Sequence, residues 1–117
     1  MVNSKKINIG ISIGDPNGIG IEIILKTLSD RTLYKECNFI VYSSEDLIKK
    51  QQDFFKIKTV PIKKIHSVNQ ANDDFINIKE VFTDSKFEFG KNDRDVSAMG
   101  IISFKEAVND SIKGEID

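Results

Sequence analysis

The stretch "ISIGDPNGIG", residues 11–20, decides how the chain is read. An apolar run ends at Gly14, and Asp15, Pro16, Asn17, Gly18, Ile19 and Gly20 follow. A simple reversal of direction needs one glycine. Three glycines around an acid describe a turn that admits positive φ and close approach to the backbone.

Working outward, residues 7–13, INIGISI, are isoleucine-rich and end at that turn, which predicts a buried strand. Beyond the turn the period changes. Ile21, Ile24, Leu25 and Leu28 fall at i, i+3, i+4 and i+7, with Ile19 and Ile23 beside them. This predicts a helix from Ile19 to Asp30 with a broad apolar face. Residues 38–42, NFIVY, predict a second strand. Ser43 or Ser44 then caps a second helix, with Glu45 and Asp46 in its first turn and Leu47, Ile48, Phe54 and Phe55 on its apolar side.

Val60-Pro61-Ile62 and residues 75–78 predict short strands joined by the polar loop SVNQANDD, and Pro61 disfavours a central place in the ladder. After Phe87–Gly90 and the polar GKNDRD, a third helix is expected from beyond Asp95 to Lys113. Ile101, Phe104, Val108 and Ile112 line one stripe of it, and Gly114 serves as its C-cap. Glu115, Ile116 and Asp117 read as the start of another strand. Alternating strands and helices predict an α/β fold with a mainly parallel sheet flanked by helices.

In such sheets ligands bind at the carboxyl ends of strands, so the first turn is a natural site. Gly14, Gly18 and Gly20 expose backbone there, amides at the start of the following helix attract anions, and Asp15 is placed to orient a hydroxyl, a cation or the loop. The spacing Gly-x-x-x-Gly-x-Gly is neither the dinucleotide fingerprint nor a phosphate loop. The loop alone leaves a structural reading equally open, with Gly20 permitting close helix–strand packing and Asp15 capping the helix.

The segment GDPNGIGIEI at 14–23 resembles the GDPxGIGPEI segment of the 4-hydroxythreonine-4-phosphate dehydrogenase family of pyridoxal 5'-phosphate (vitamin B6) biosynthesis. Gly90-Lys91, Gly100 and the run Lys113-Gly114-Glu115-Ile116-Asp117 look like the family's helix ahead of an ALVTAPINK-like strand. Ile21 stands where the family has proline, a mild departure at an early helical position. The resemblance implies an isocitrate/isopropylmalate dehydrogenase-like fold and a cytoplasmic homodimer of two-domain subunits. It also implies NAD as oxidant and a histidine-held divalent metal that polarises the substrate hydroxyl of 4-phosphohydroxy-L-threonine before decarboxylation. On this reading residues 1–117 are an incomplete N-terminal segment, inactive alone, and Gly14, Asp15, Gly18 and Gly20 form one wall of the cleft. No residue is assigned as catalytic base or metal ligand. The alternative is a small non-catalytic α/β module that holds a phosphorylated metabolite at the same turn.

Composition narrows the other options. Among 117 residues, 17 Lys plus Arg against 18 Asp plus Glu give a net charge of -1, so no basic field exists to hold nucleic acid. Lys49-Lys50 and Lys63-Lys64 read as solvated faces. Cys37 is the sole cysteine and His66 the sole histidine, which exclude an internal disulfide and a Cys/His metal cluster. Cys37 is expected to act as a small hydrophobe near a strand start, and His66 as a surface or strand-edge residue. No apolar run reaches the roughly 20 residues of a membrane span.

Overall fold

The structure is a computed structural model and describes residues 6–16, 18–82 and 94–117. Strand β1 (Ile7–Ser12) leads through the glycine turn into helix α1 (Gly20–Thr27). A 3-10 turn (Arg31–Lys35) precedes β2 (Cys37–Ser43), which feeds α2 (Glu45–Phe55). Then come β3 (Ile62–Ile65), β4 (Ile76–Glu80) and α3 (Arg94–Ile112). The four strands form one sheet in the order β1-β2-β4-β3, and every pairing is parallel. The expected fold class stands, while the Phe87–Gly90 reading and the first four residues of GKNDRD lie outside the described residues, its Arg94 and Asp95 opening α3.

The register places Ile9 opposite Phe39, Ile11 opposite Val41, and Val41 opposite Ile78. These side chains share one face. Against them pack Ile21, Leu25 and Leu28 of the α1 region with Leu47 and Ile48 of α2. Each such side chain contributes roughly 1.5–3 kcal/mol on full burial. Ile40, Tyr42, Ile65 and Val68 form a smaller cluster on the opposite face, with Ala107 of α3 half-buried against it. The sheet is thus sandwiched between α1 and α2 on one side and α3 on the other.

Local chemistry explains the element ends. The Ser44 hydroxyl accepts from the Leu47 amide at 3.1 Å and caps α2, so Ser44 rather than Ser43 starts that helix. Lys56 closes it in the left-handed region at φ 53°. Gly114, at φ +77°, closes α3, and the Glu115 amide reaches back to the Asp110 carbonyl at 2.9 Å. Pro61 sits just outside β3, an edge strand, as its missing N–H requires. The β3–β4 connection holds no α-helix. Instead Gln70 accepts the amides of His66 and Ser67, and buried Asn77 accepts the Asn72 amide while donating to the Phe39 carbonyl.

Four expectations are corrected. The first helix ends at Thr27 rather than Asp30, because the Asp30 carboxylate caps the 3-10 turn through the Thr32 amide. Ile19 and Ile23 are exposed, since only the Ile21, Leu25 and Leu28 side of α1 meets the sheet. Phe54 is likewise exposed, and the buried face of α2 is Leu47, Ile48 and Gln51. Most consequential, Ile101, Phe104, Val108 and Ile112 point outward. Buried on α3 are Ser103 and Asp110, which bond to the sheet, and Met99, which joins the cluster under α1 and α2. Smaller shifts accompany these. Ile7 and Ile9 are partly exposed because β1 lies at a sheet edge, and the later strands fall at 62–65 and 76–80. Cys37 and His66 lie where expected, half-buried at the head of β2 and exposed after β3.

Candidate functional site

The glycine turn leaves the carboxyl end of β1 and meets the first half of α3. Gly14 adopts φ +67°, and nothing lies within 4 Å of where its Cβ would be. A residue with a side chain would be strained there. At Gly100 of α3 an added Cβ would stand 2.5 Å from the Gly14 carbonyl oxygen and 2.9 Å from its carbon. Only glycine lets helix and turn approach this closely.

Beside that contact opens a groove of about 540 Å3. Gly14 and Asp15 line one side, and Ser97, Ile101, Phe104 and Lys105 the other, with Gly100 between them. The turn is therefore not sealed against the core. Ile101 and Phe104, 58% and 60% exposed, make much of the far wall apolar. Ser97 offers a hydroxyl and Lys105 a cation.

Of the four residues that the sequence singled out, the structure brings Gly14 and Asp15 to this groove. Gly18 and Gly20 shape the turn beneath it. The Gly18 amide donates to the Asp15 carbonyl at 2.9 Å, and an added Cβ at Gly18 would approach that same oxygen to 3.2 Å. At Gly20 an added Cβ would sit 3.0 Å from the Ile13 carbonyl, so this glycine permits close packing of helix on strand. Ile19 is the N-cap of α1, and its own side chain makes no cap hydrogen bond. Pro16 is buried, and its carbonyl accepts from the Gln51 side chain of α2 at 3.0 Å.

Sequence reasoning missed Ser97, Gly100 and Lys105 as site residues. Gly100 carried the one legible signal, a glycine inside a helical pattern, which marks a close approach when it is not a breaker. Phe104 and Ile101 were legible only as part of an apolar stripe on the third helix.

Behind the groove, α3 is tied to the sheet by polar contacts. The Ser103 hydroxyl accepts from the Ile13 amide at 3.0 Å and donates to the Tyr42 carbonyl at 2.5 Å. Further along, one Asp110 oxygen accepts from the Tyr42 hydroxyl at 2.7 Å and from the Lys79 ammonium at 2.6 Å. Burial pushes the Asp110 carboxyl up, but the hydrogen bonds from Lys79 and Tyr42 outweigh it and hold the group below the usual carboxylate range. Burial, then the Asp110 hydrogen bond, drives the Tyr42 phenol well upward, so it stays a donor. Among the described residues no group of three His, Cys, Asp or Glu side chains is arranged to hold a metal ion, and no helix is long and apolar enough to cross a membrane.

No family model matches the chain. Individual relatives do. A provisionally named D-threonate 4-phosphate dehydrogenase of Clostridium botulinum is 30% identical over 125 aligned residues, covering all of this chain and 36% of the relative. A 4-hydroxythreonine-4-phosphate dehydrogenase of Bacteroides thetaiotaomicron is 28% identical over 117 residues, covering 99% of this chain and 32% of the relative. Among solved structures, the 4-hydroxythreonine-4-phosphate dehydrogenase from Burkholderia phymatum superimposes with a TM-score of 0.82 at 21% identity, over 97% of this chain and 35% of that one. The Klebsiella pneumoniae enzyme of the same name gives 0.77 at 18% identity over the same shares. At those identities the structures speak for the fold. The chain spans about a third of the length of the curated relatives it matches. The resemblance first read at residues 14–23 thus extends along the whole chain.

Proposed function

We propose, from the chain's kinship over its full length with 4-hydroxythreonine-4-phosphate and D-threonate 4-phosphate dehydrogenases, that it is the N-terminal segment of such an enzyme. The segment forms one wall of the cleft where a phosphorylated hydroxy acid is oxidised. The observation that carries this reading is the open groove at the carboxyl end of β1, walled by Gly14 and Asp15.

In this scheme NAD would supply the hydride acceptor, and a divalent metal would supply Lewis-acid polarisation of the substrate hydroxyl. The described residues do not fit a metal site, so no step performed by them runs through one. The chain's own residues have other work. The Gly14 backbone, held in a conformation open to approach, lets the substrate come against the turn. Asp15 orients a substrate hydroxyl from the groove's edge and is not the base. Ile101 and Phe104 exclude water from that side of the groove. The homodimer and cytoplasmic location belong to the same reading.

Two measurements test it. The isolated 117-residue chain, given substrate, NAD and divalent metal, should form no NADH. Metal-dependent NADH formation by that chain would overturn the assignment of a partial site. In an active polypeptide containing this segment, Asp15→Asn should lower turnover by up to about 10²-fold, the scale of lost substrate orientation, with the fold retained. Unchanged kinetics would remove Asp15 from the site.

A further inference from the structure

The inner face of α3 carries a second kind of information. Ser103 is fully buried in the middle of a helix. A serine in that setting commonly bonds back to its own helix. This one bonds to the sheet on both counts, accepting the Ile13 amide at 3.0 Å and donating to the Tyr42 carbonyl at 2.5 Å. Ser12 and Tyr42 are the last register pair between β1 and β2. Ile13 is the next residue, and Gly14 follows. At the point where the two strands part, the Ser103 hydroxyl stands in for the rung that the ladder no longer supplies.

We propose that Ser103 is a positioning residue for the cleft wall. It splices the end of β1 to β2 and α3, and so sets where Gly14 and Asp15 stand against Ser97 and Lys105 across the groove. The inference rests on the groove being the substrate cleft. Ser103 itself does not line the groove, so its effect is transmitted one residue along the chain, from the held Ile13 amide to Gly14. Gly100, a turn away on the same helix, sets the distance, because the Gly14 carbonyl occupies the space its side chain would take. Hydrogen bonds suit this task better than apolar packing, since they resist sliding of a helix along a sheet through their angular dependence.

The test is an NMR comparison of the 117-residue chain with Ser103→Ala and Ser103→Thr. In the alanine variant, exchange of the Ile13 amide should accelerate at least about tenfold relative to the core amides of Ile76 and Ile78, as expected when one buried partner is removed. The Gly14 and Asp15 resonances should move with it. Threonine keeps the hydroxyl and should restore both signals. A merely structural serine would instead lower protection evenly across the sheet and leave Gly14 in place, and that outcome overturns the proposal. If the alanine variant does not fold, Ser103→Cys, with a poorer hydrogen-bonding thiol, serves for the same comparison. The same samples are then titrated with 4-phosphohydroxy-L-threonine. Perturbation at Gly14 and Asp15 should weaken in the alanine variant and return in the threonine variant. Absence of any perturbation in the unmodified chain overturns the cleft reading itself. That failure is distinct from failure of the splice, which is read from Ile13 exchange without ligand.

Discussion

The two faces of the sheet are held by different physics. Beneath α1 and α2 the contacts are almost wholly aliphatic and aromatic, from Ile21, Leu25 and Leu28 through Leu47 and Ile48 to Phe39, Val41, Ile76 and Ile78. Beneath α3 the apolar cluster is small, and Ser103 and Asp110 reach the sheet through hydrogen bonds. Gly10 of β1 lies on this second face beside the Tyr42 ring, which a Cβ there would approach to 3.1 Å. Apolar burial is non-directional and scales with area. Hydrogen bonds fix angle and register. The first face therefore supplies cohesion and the second supplies position, and the groove lies where α3 meets the turn after β1.

The contrast can be broken from either side, and the largest effect should come from the apolar face. Leu25 is 1% exposed in the middle of the cluster. Leu25→Ala should cost about 2–5 kcal/mol in urea unfolding, through lost burial and the cavity left behind. A loss under about 1 kcal/mol would show that this face is not the main source of cohesion.

Next in size is Asp110→Asn, expected to cost about 2 kcal/mol because it weakens charge-assisted bonds to Lys79 and Tyr42. Its pH dependence carries the sharper test. The folded carboxyl titrates below its unfolded value of about 3.9, so its contribution is complete above that pH and declines as the pH falls through the folded value. Unfolding free energies of the parent and the variant should converge as the pH drops below about 4. A gap that stays constant there would mean that Asp110 is not the titrating tether.

The same contrast governs what the sequence could reveal. Strand order aside, the apolar face was legible, because Ile21, Leu25 and Leu28 recur with helical period and strands 7–13 and 38–42 stand out as apolar runs. The face beneath α3 was misread for a physical reason. Periodicity assigns the apolar stripe of a helix to the core, which put Ile101, Phe104, Val108 and Ile112 inside. The structure instead turns Ser103 and Asp110 inward, where each bond has a partner on another element that no local pattern announces. The site divides in the same way. Gly14 and Asp15 were visible as an overloaded turn, whereas Ser97 and Lys105 become site residues only once α3 is laid across the sheet.

A smaller effect, of opposite sign, is expected at the end of α2. Lys56 holds φ 53° and ψ 43° with a side chain attached. Lys56→Gly removes a left-handed penalty of roughly 1–2 kcal/mol. It also frees the unfolded chain by up to about 1 kcal/mol. The net should be a gain of about 0.5–1 kcal/mol in chemical denaturation. A loss would show that Lys56 contributes contacts that offset its strain.

The smallest effect on stability should come from the outward stripe of α3, and this comparison separates folding from site. Phe104 is 60% exposed and lines the groove, so it has little burial to lose. Phe104→Gln should change unfolding free energy by no more than about 0.5 kcal/mol, as exposed positions generally do. It places an amide where the groove wall was apolar, so the Gly14, Asp15 and Ser97 resonances should move while the Ile76 and Leu25 resonances do not. A cost approaching that of Leu25→Ala would mean that Phe104 is buried in solution and that the groove is closed. Stability and core signals unchanged, with a shifted groove, would place the apolar stripe with the site and leave cohesion to the opposite face of the sheet.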